Sequence, residues 1–267
     1  MADHPRGSAV FAGCARSCAA HLDAVLANLD AFASAYEKSA IVIFENDSED
    51  DTAERLLRYA AGRPNVSVMS HPGLASTVKS RTKRLAIARN AYLDFIRESE
   101  FRGYDHLVVL DFDEVNAGSA DLGGFHAARR WLDDHPELNG LFANSQPIYY
   151  DLWALRHAAW SAGDCWSYVR ESGGGPDAYA QFVYSRMVPI PPQTPPIKVG
   201  SAFGGLGLYR MDRALQGVYA DRSTDSAGQC EHVQFHAEII EKAGGEFAIF
   251  PPLTNRTGWA HVLSEFG

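Results

Sequence analysis

The residues best suited to chemistry in this sequence form a short acidic group, Asp111, Asp113 and Glu114, directly after an apolar run. The segment reads HLVVLDFDEVN, and its first residues are typical of a buried strand. Two aspartates one residue apart would point to opposite faces of a continuing strand, but in a turn both can converge on one cation. Hard divalent cations prefer oxygen ligands and often keep waters and a phosphate in their shell. The group therefore predicts a divalent-cation site. The structural alternative is that Asp111 caps a turn and the other two are solvated.

The elements that must position this group alternate between strands and helices along the first 113 residues. Strands are predicted from apolar or β-branched runs at 9–16, 40–46, 65–71 and 106–113. Helices are predicted from apolar residues at helical spacing over 17–39, with Ser17 as the N-cap, and over 47–60 and 80–100. Such alternation is typical of a parallel sheet with helices on both faces, where ligands bind beyond the carboxyl ends of the strands. The polar segments after the four strands predict one crevice built from four loops.

The second half of the chain is richer in aromatic and turn residues. Its pattern predicts helices at 123–134 and 229–243, and strands at 141–149, 202–209 and 246–251. The proline-rich segment 188–196 is predicted to be an ordered loop, because proline restricts φ. Since the sequence shows neither an internal repeat nor a clear linker, we expect a single domain over 1–267 with a Rossmann-like first half.

Composition narrows the class of protein. The 267 residues are 46% hydrophobic and 21% charged, which is typical of a soluble globular domain, and no apolar run approaches the roughly 20 residues of a membrane helix. The net charge is −9, and the notable basic cluster is KSRTKR at 79–84. That balance argues against nucleic acid as a partner and favours a small anionic ligand. The start of the chain lacks a signal-peptide pattern, so we expect a cytoplasmic protein, with peripheral membrane contact left open.

Taken in order, four motifs resemble those of nucleotide-sugar-dependent glycosyltransferases of the GT-A fold. The loop ENDSEDDT resembles their D-x-S-x-D-x-T segment, matching Asp47, Ser48, Asp50 or Asp51, and Thr52. The D-x-D motif matches Asp111 and Asp113. FGGLG at 203–207 resembles their glycine-bearing acceptor loop, and CEH at 230–232 stands where they carry an acidic catalytic motif. The resemblance covers nearly the whole chain. It implies an α/β fold with a mixed, mainly parallel central sheet, a nucleotide-sugar-binding half at 1–116 and an acceptor-binding half at 117–267.

For the donor, the resemblance implies a UDP- or GDP-linked sugar whose diphosphate is bound through Mn²⁺ or Mg²⁺. The implied metal ligands are Asp111, Asp113 and His261, with His232 and His236 as rivals for the third place. The implied donor-binding residues are Arg16, Glu45, Asn46, Asp47, Arg84, Asp111 and Phe112. Two structural alternatives stay open: Arg16 could pair with Asp47, and Arg89 could be the ion-pair partner of a carboxylate.

For catalysis, the resemblance implies Glu231 as the general base, since inverting transfer needs a group that takes the acceptor hydroxyl proton. A glutamate at a helix N-terminus is also favoured as the ionised form. The usual motif ends Glu-Asp, however, and here His232 stands at the second position. Either Glu231 or His232 is the base, or transfer retains configuration and needs none. The structural alternative is that Glu231 is only a charge that stabilises the helix N-terminus.

For the acceptor, the implied residues are Tyr150, Asp151, Trp153, Arg156, Gly204 and Gly205. Aromatic rings stack on the C–H faces of sugars, and carboxylates bind their hydroxyls. The resemblance implies a glycan or lipid-linked acceptor, as in bacterial surface polysaccharide synthesis, with core packing as the alternative for Trp153.

Three other functions remain open. A nucleotidyltransferase also uses paired carboxylates, but GCARSCAAH after the first strand lacks its glycine-rich, lysine-bearing signature. A non-catalytic nucleotide or sugar binder would bind donor without turnover. A metal-dependent hydrolase would need the His232 and His236 pair to bind zinc together with a third ligand.

Overall fold

The alternation predicted for the first half is present in the computed structural model, which describes residues 6–220 and 228–256. The strands are β1 (Ser8–Ala15), β2 (Lys38–Glu45), β3 (Val66–Ser70), β4 (His106–Leu110), β5 (Leu138–Gln146), β6 (Ile197–Val199), β7 (Leu206–Arg210) and β8 (Glu246–Arg256). The helices are α1 (Ala19–Ala33), α2 (Thr52–Ala60), α3 (Leu74–Thr77), α4 (Arg81–Glu98), α5 (Leu122–Asp134), α6 (Cys165–Glu171), α7 (Pro176–Phe182), α8 (Met211–Ala214) and α9 (Glu231–Ala243). None of these helices is both long and apolar enough to cross a membrane.

The strands form one sheet in the order β3-β2-β1-β4-β7-β5-β8-β6. Strands β3, β2, β1 and β4 run parallel, so their carboxyl ends meet at one edge of the sheet. Strand β7 runs antiparallel between β4 and β5, whereas β5 and β8 are parallel. The sheet is therefore mixed and mostly parallel, as predicted, and both halves of the chain contribute strands to it.

The two faces of the sheet carry separate cores because side chains alternate along each strand. In β1, Phe11 packs on the face covered by α1 and α5, while Val10 packs on the opposite face. In β4, Val108 and Val109 divide in the same way. Burial on both faces explains why these strands read as continuous apolar runs in the sequence.

Several element ends differ from the prediction. Helix α1 begins at Ala19, and Ser17 has φ 46° instead of capping it. Strand β7 begins only at Leu206, because Gly204 and Gly205 have φ of +64° and +81° and form a turn. Strand β8 continues to Arg256, with a shift in its register to β5. Helices α3, α6, α7 and α8 and strand β6 were not predicted.

Candidate functional site

A cleft of about 500 Å³ opens beyond the carboxyl ends of β1, β2 and β4, where the sequence predicts it. Its walls come from the β1–α1 turn, the loop after β2, helix α4 and the loop after β4. Segment 150–154, the turn before β7 and the start of α9 complete it. Residues from both halves of the chain thus meet around one volume.

The loop after β2 fixes the β1–α1 turn. Ser48 Oγ accepts a hydrogen bond from the Ser17 backbone N–H at 3.0 Å. Thr52 Oγ1 accepts from Cys18 N at 2.9 Å, and Asp50 Oδ2 accepts from the N–H of Ala19 at 3.0 Å. These side chains satisfy the first backbone donors of α1, which explains why Ser17 is not needed as a cap. The clamp places the neighbouring Arg16 on the cleft wall.

The carboxylates of the D-x-D motif lie in the loop after β4. Asp111 and Asp113 both line the cleft. Asp111 Oδ1 accepts from Arg89 Nη2 at 3.1 Å, and Asp113 Oδ1 accepts from Val115 N at 3.0 Å, which holds the turn after β4. Glu114 begins a 3₁₀ turn and is not among the residues of the cleft wall.

The donor atoms present suit a divalent cation. Carboxylate oxygens are the ligands that Mg²⁺ and Mn²⁺ take, and one or two suffice when waters and phosphate oxygens complete the shell. Within 6–220 and 228–256, no group of three or more His, Cys, Asp or Glu side chains is arranged to hold a metal alone. Asp111 and Asp113 therefore fit an open site completed by a ligand. His261, the predicted third ligand, lies outside the described residues.

A basic group lines the cleft at the end of β1 and at the start of α4. Arg16, Arg81 and Arg84 line it, and across the described part of the chain none lies within 4.0 Å of a carboxylate oxygen. Arg84 Nη1 donates to the carbonyls of Val78 and Lys79, which fixes its direction. Burial and the charges of Arg16 and Arg81 lower the pKa of Arg84, so these guanidinium groups repel one another. An anion placed between them would relieve that repulsion.

A buried arginine joins the two ends of the cleft. Arg89 is 3% exposed and donates through Nε to Glu231 Oε1 at 2.9 Å, in addition to its bond to Asp111. Its guanidinium lies 5.4 Å from the Phe203 ring centroid and 5.6 Å from that of Tyr219. The structural alternative for Arg89 is therefore the observed one, and the ion pair spans 142 positions of sequence.

His232, next to Glu231, is 3% exposed and also lines the cleft. Its ring stacks on Phe203 with centroids 3.9 Å apart, and its Nε2 lies 3.8 Å from Glu231 Oε1. Neither ring nitrogen has a hydrogen-bond partner among the described residues. Burial, together with the charge of Arg89, lowers the pKa of His232 well below its ordinary value, so the ring is neutral.

The predicted zinc pair is not supported by the surroundings of its second histidine. Ser201 Oγ lies 2.8 Å from His236 Nδ1, and the Tyr209 hydroxyl lies 3.0 Å from its Nε2. Both ring nitrogens are therefore engaged within the core, and burial and Arg89 lower the pKa of His236 to about 3. A hydrolase built on His232 and His236 does not fit this arrangement.

Among the predicted donor-binding residues, Arg16, Asn46, Arg84, Asp111 and Phe112 line the cleft. Glu45 does not, because its carboxylate accepts from Ser48 N and the Ser70 hydroxyl and is 4% exposed.

Three of the predicted donor residues, Asp47, Arg16 and Phe112, also bond or pack within the protein. Asp47 faces the next loop, where it accepts from the backbone of Gly73 and Ala75. Arg16 Nε donates to the carbonyl oxygen of Asp47 at 3.4 Å, so the alternative ion pair with its carboxylate is not formed. Phe112 belongs to the cleft wall, but its side chain is 2% exposed and packs beside Gly13, so little of its ring is left to contact a ligand.

Among the predicted acceptor residues, Tyr150, Asp151, Trp153 and Gly205 line the cleft. Asp151 Oδ2 accepts from Gly204 N at 2.9 Å and so connects segment 150–154 to the turn before β7. Arg156 instead donates to the carbonyls of Trp153 and Leu155, which makes it a brace for this segment.

Arg81, Glu49 and Phe203 line the cleft but were not predicted as site residues. The spacing of Arg81 and Arg84, three apart on one helix, was the available signal for the first of them.

No protein-family model and no curated protein sequence matches this chain. Solved structures do match it. The mannosyltransferase PcManGT from Pyrobaculum calidifontis, solved with GDP-Man and Mn²⁺, superposes with a TM-score of 0.56 at 15% identity over 94% of this chain. GalNAc-T7, solved with UDP, GalNAc and Mn²⁺, gives 0.52 at 12% identity over 94%. TarS of S. aureus (residues 1–349) gives 0.51 at 9% identity over 97%.

The chain has a GT-A fold. It spans 57% of PcManGT, 62% of TarS and 44% of GalNAc-T7, so each of those chains carries substantial further sequence. At 9–15% identity the shared feature is the fold, and any assignment of activity depends on the residues that this chain places around the cleft.

Proposed function

We propose that this protein is a metal-dependent glycosyltransferase that moves a sugar from a UDP- or GDP-linked donor to a hydroxyl group. The observation that carries the proposal is the cleft at the carboxyl ends of the strands. There, Asp111 and Asp113 share one volume with the basic group of Arg16, Arg81 and Arg84. Carboxylates that suit a cation beside guanidinium groups that suit phosphates make a site for a metal-bound diphosphate.

In this proposal each wall of the cleft has its own task. Asp111 and Asp113 would hold Mn²⁺ or Mg²⁺, which when bound offsets the negative charge of a departing diphosphate. Arg16, Arg81 and Arg84 bind phosphate oxygens. The acceptor lies against segment 150–154, and we propose a glycan or lipid-linked acceptor of surface polysaccharide synthesis.

We assign the proton acceptor of an inverting transfer to Glu231. Protonating the neighbouring His232 would add a second positive charge beside the buried Arg89, whereas protonating Glu231 removes a negative one. Arg89 would keep its bond to Asp111 in either state. Arg89 is thus a positioning residue that fixes both carboxylates.

The test is an assay of UDP- and GDP-hexoses with Mn²⁺ and a panel of glycoside acceptors, analysed by mass spectrometry. Glycosylated product with release of nucleoside diphosphate supports the proposal. Release of pyrophosphate would indicate a nucleotidyltransferase, and donor binding without turnover on any acceptor would indicate a binding protein. If transfer is observed, we expect Glu231→Gln to lower its rate about 100-fold or more while leaving affinity for the nucleoside diphosphate unchanged. NMR of the product anomer checks whether configuration inverts.

A further inference from the structure

Two residues that line the cleft carry three buried polar atoms with no hydrogen-bond partner within residues 6–220 and 228–256. These atoms are Arg89 Nη1 and both ring nitrogens of His232. Both side chains are 3% exposed. Buried polar atoms in folded proteins are nearly always hydrogen-bonded, and leaving one unpaired costs free energy. These atoms therefore call for a polar group from a ligand or from water.

The atoms belong to one small region. Glu231 Oε1 lies 2.9 Å from Arg89 Nε and 3.8 Å from His232 Nε2, so this oxygen stands between the two side chains. The ring of Phe203 contacts both, at centroid distances of 3.9 Å to His232 and 5.4 Å to the Arg89 guanidinium. A guanidinium offers donors, and a neutral imidazole offers one donor and one acceptor. A hydroxyl, which both donates and accepts, matches this set.

The charge around these atoms also favours a hydroxyl. The positive charge of Arg89 is already opposed by Asp111 and Glu231, and Asp151 adds a further carboxylate to the cleft wall. His232 contributes no charge, since burial and Arg89 depress its pKa. A divalent cation held by Asp111 and Asp113 would offset the charge of the donor's diphosphate, while Glu231 and Asp151 would still oppose a further negative charge. A carboxylate from a ligand would therefore be repelled here, whereas the arginines of the rim accept phosphates.

We propose that Arg89 and His232 form a subsite for a hydroxyl group of the donor sugar, which makes the protein selective for neutral sugars over sugar acids. The inference rests on the proposed glycosyltransferase function. Arg89 bonds directly to Asp111, the carboxylate proposed for the diphosphate, and a donor sugar is attached to that diphosphate. The subsite therefore adjoins the position that the sugar would occupy when the diphosphate is bound beside Asp111.

The test is calorimetric titration in Mn²⁺ with three probes for each base: the nucleoside diphosphate, its hexose conjugates and its hexuronic acid conjugate. Wild type is compared with His232→Phe, which keeps the ring stacking on Phe203 but removes both nitrogens, and with His232→Asn, which restores a donor and an acceptor. At least one hexose conjugate should bind more tightly than the diphosphate alone, and the uronic acid conjugate should not. We call the ratio of hexose-conjugate affinity to diphosphate affinity the hexose gain. In His232→Phe the hexose gain should fall about 3- to 10-fold while diphosphate affinity stays unchanged. His232→Asn should recover part of the hexose gain.

Diphosphate affinity in each variant serves as the folding control. A uronic acid conjugate that binds as tightly as the hexose conjugates overturns the subsite, as does a hexose gain that His232→Phe leaves intact. A higher acceptor KM in His232→Phe with an unchanged hexose gain would place the hydroxyl on the acceptor and overturn the donor assignment. Failure of every nucleoside diphosphate to bind folded wild type would instead reject the glycosyltransferase proposal, and the subsite with it.

Discussion

Helix α4 carries arginines in two different environments, one lining the open cleft and one buried among carboxylates. Arg81 and Arg84, in its first turn, line the rim of the cleft and have no carboxylate partner in the part of the chain that the structure describes. Arg89 follows between one and two turns later and is buried between Asp111 and Glu231. Arginines of one helix thus line the open cleft where carboxylates are missing and form buried ion pairs where carboxylates converge.

The buried arginine should show the largest effect. Replacing Arg89 by Met leaves Glu231 buried without its partner, so we expect unfolding free energy to fall by about 3–5 kcal/mol, as measured by urea denaturation. Lys83→Met, an exposed position on the same helix, should stay within about 0.5 kcal/mol of wild type. A decrease in unfolding free energy below about 1 kcal/mol for Arg89→Met would show that the ion pairs of Arg89 with Asp111 and Glu231 are not needed for stability.

The rim should behave in the reverse manner. We expect Arg81→Ala to lower affinity for UDP or GDP about 3- to 10-fold, because a charge-assisted hydrogen bond to phosphate is lost. Its stability should change by no more than about 0.5 kcal/mol, since Arg81 is exposed. Lys83→Ala is the matched control, because Lys83 lies on α4 but is not on the cleft wall. Equal loss of affinity in both variants would show that Arg81 acts only through its charge and makes no specific contact with the phosphates.

The smallest effect concerns a carboxylate that serves the protein instead of the ligand. The Asn46 side chain and the backbone N–H groups of Ala75 and Gly73 hold the pKa of Asp47 down at about 2. A carboxyl with a depressed folded pKa adds stability above its unfolded pKa, and that stability is lost as pH falls through the folded value. Asp47→Asn should therefore have a lower melting temperature than wild type near pH 7, with the difference closing between about pH 4 and pH 2. A difference that is constant over this range would contradict the assignment.

Local sequence patterns predicted the elements whose residues show their own periodicity or apolar run. They did not predict features that depend on residues distant in the sequence. Strands β1 to β4 could be predicted because burial on both faces makes each an apolar run. The cap of α1 could not, because Asp50 and Thr52 supply it from the next loop. The insertion of β7 between β4 and β5 depends on a turn at Gly204 and Gly205 and on long-range pairing.

The residues of the site likewise fall into those that the sequence could predict and those that it could not. The D-x-D carboxylates are adjacent in sequence and follow a clear strand, so their place at the sheet edge was predictable. The link from Arg89 to Glu231 joins two helices far apart in the chain, and sequence could offer Arg89 only as a partner of some carboxylate. Glu45 and Asp47 were expected to contact the donor because they end a strand. Both carboxylates instead accept hydrogen bonds from the protein itself, from Ser48 in their own loop and from Ser70 and Ala75 at and after the end of β3.

The central claim is that Asp111 and Asp113 hold a divalent cation against a nucleoside diphosphate. Calorimetric titration of UDP and GDP, with Mn²⁺ and with EDTA, into wild type and Asp113→Ala tests it most directly. We predict binding of at least one diphosphate that weakens about 10-fold or more in EDTA, and a similar loss for Asp113→Ala in Mn²⁺ with no further loss in EDTA. Folded wild type that binds neither diphosphate, or binds one equally with and without the metal, would contradict the account.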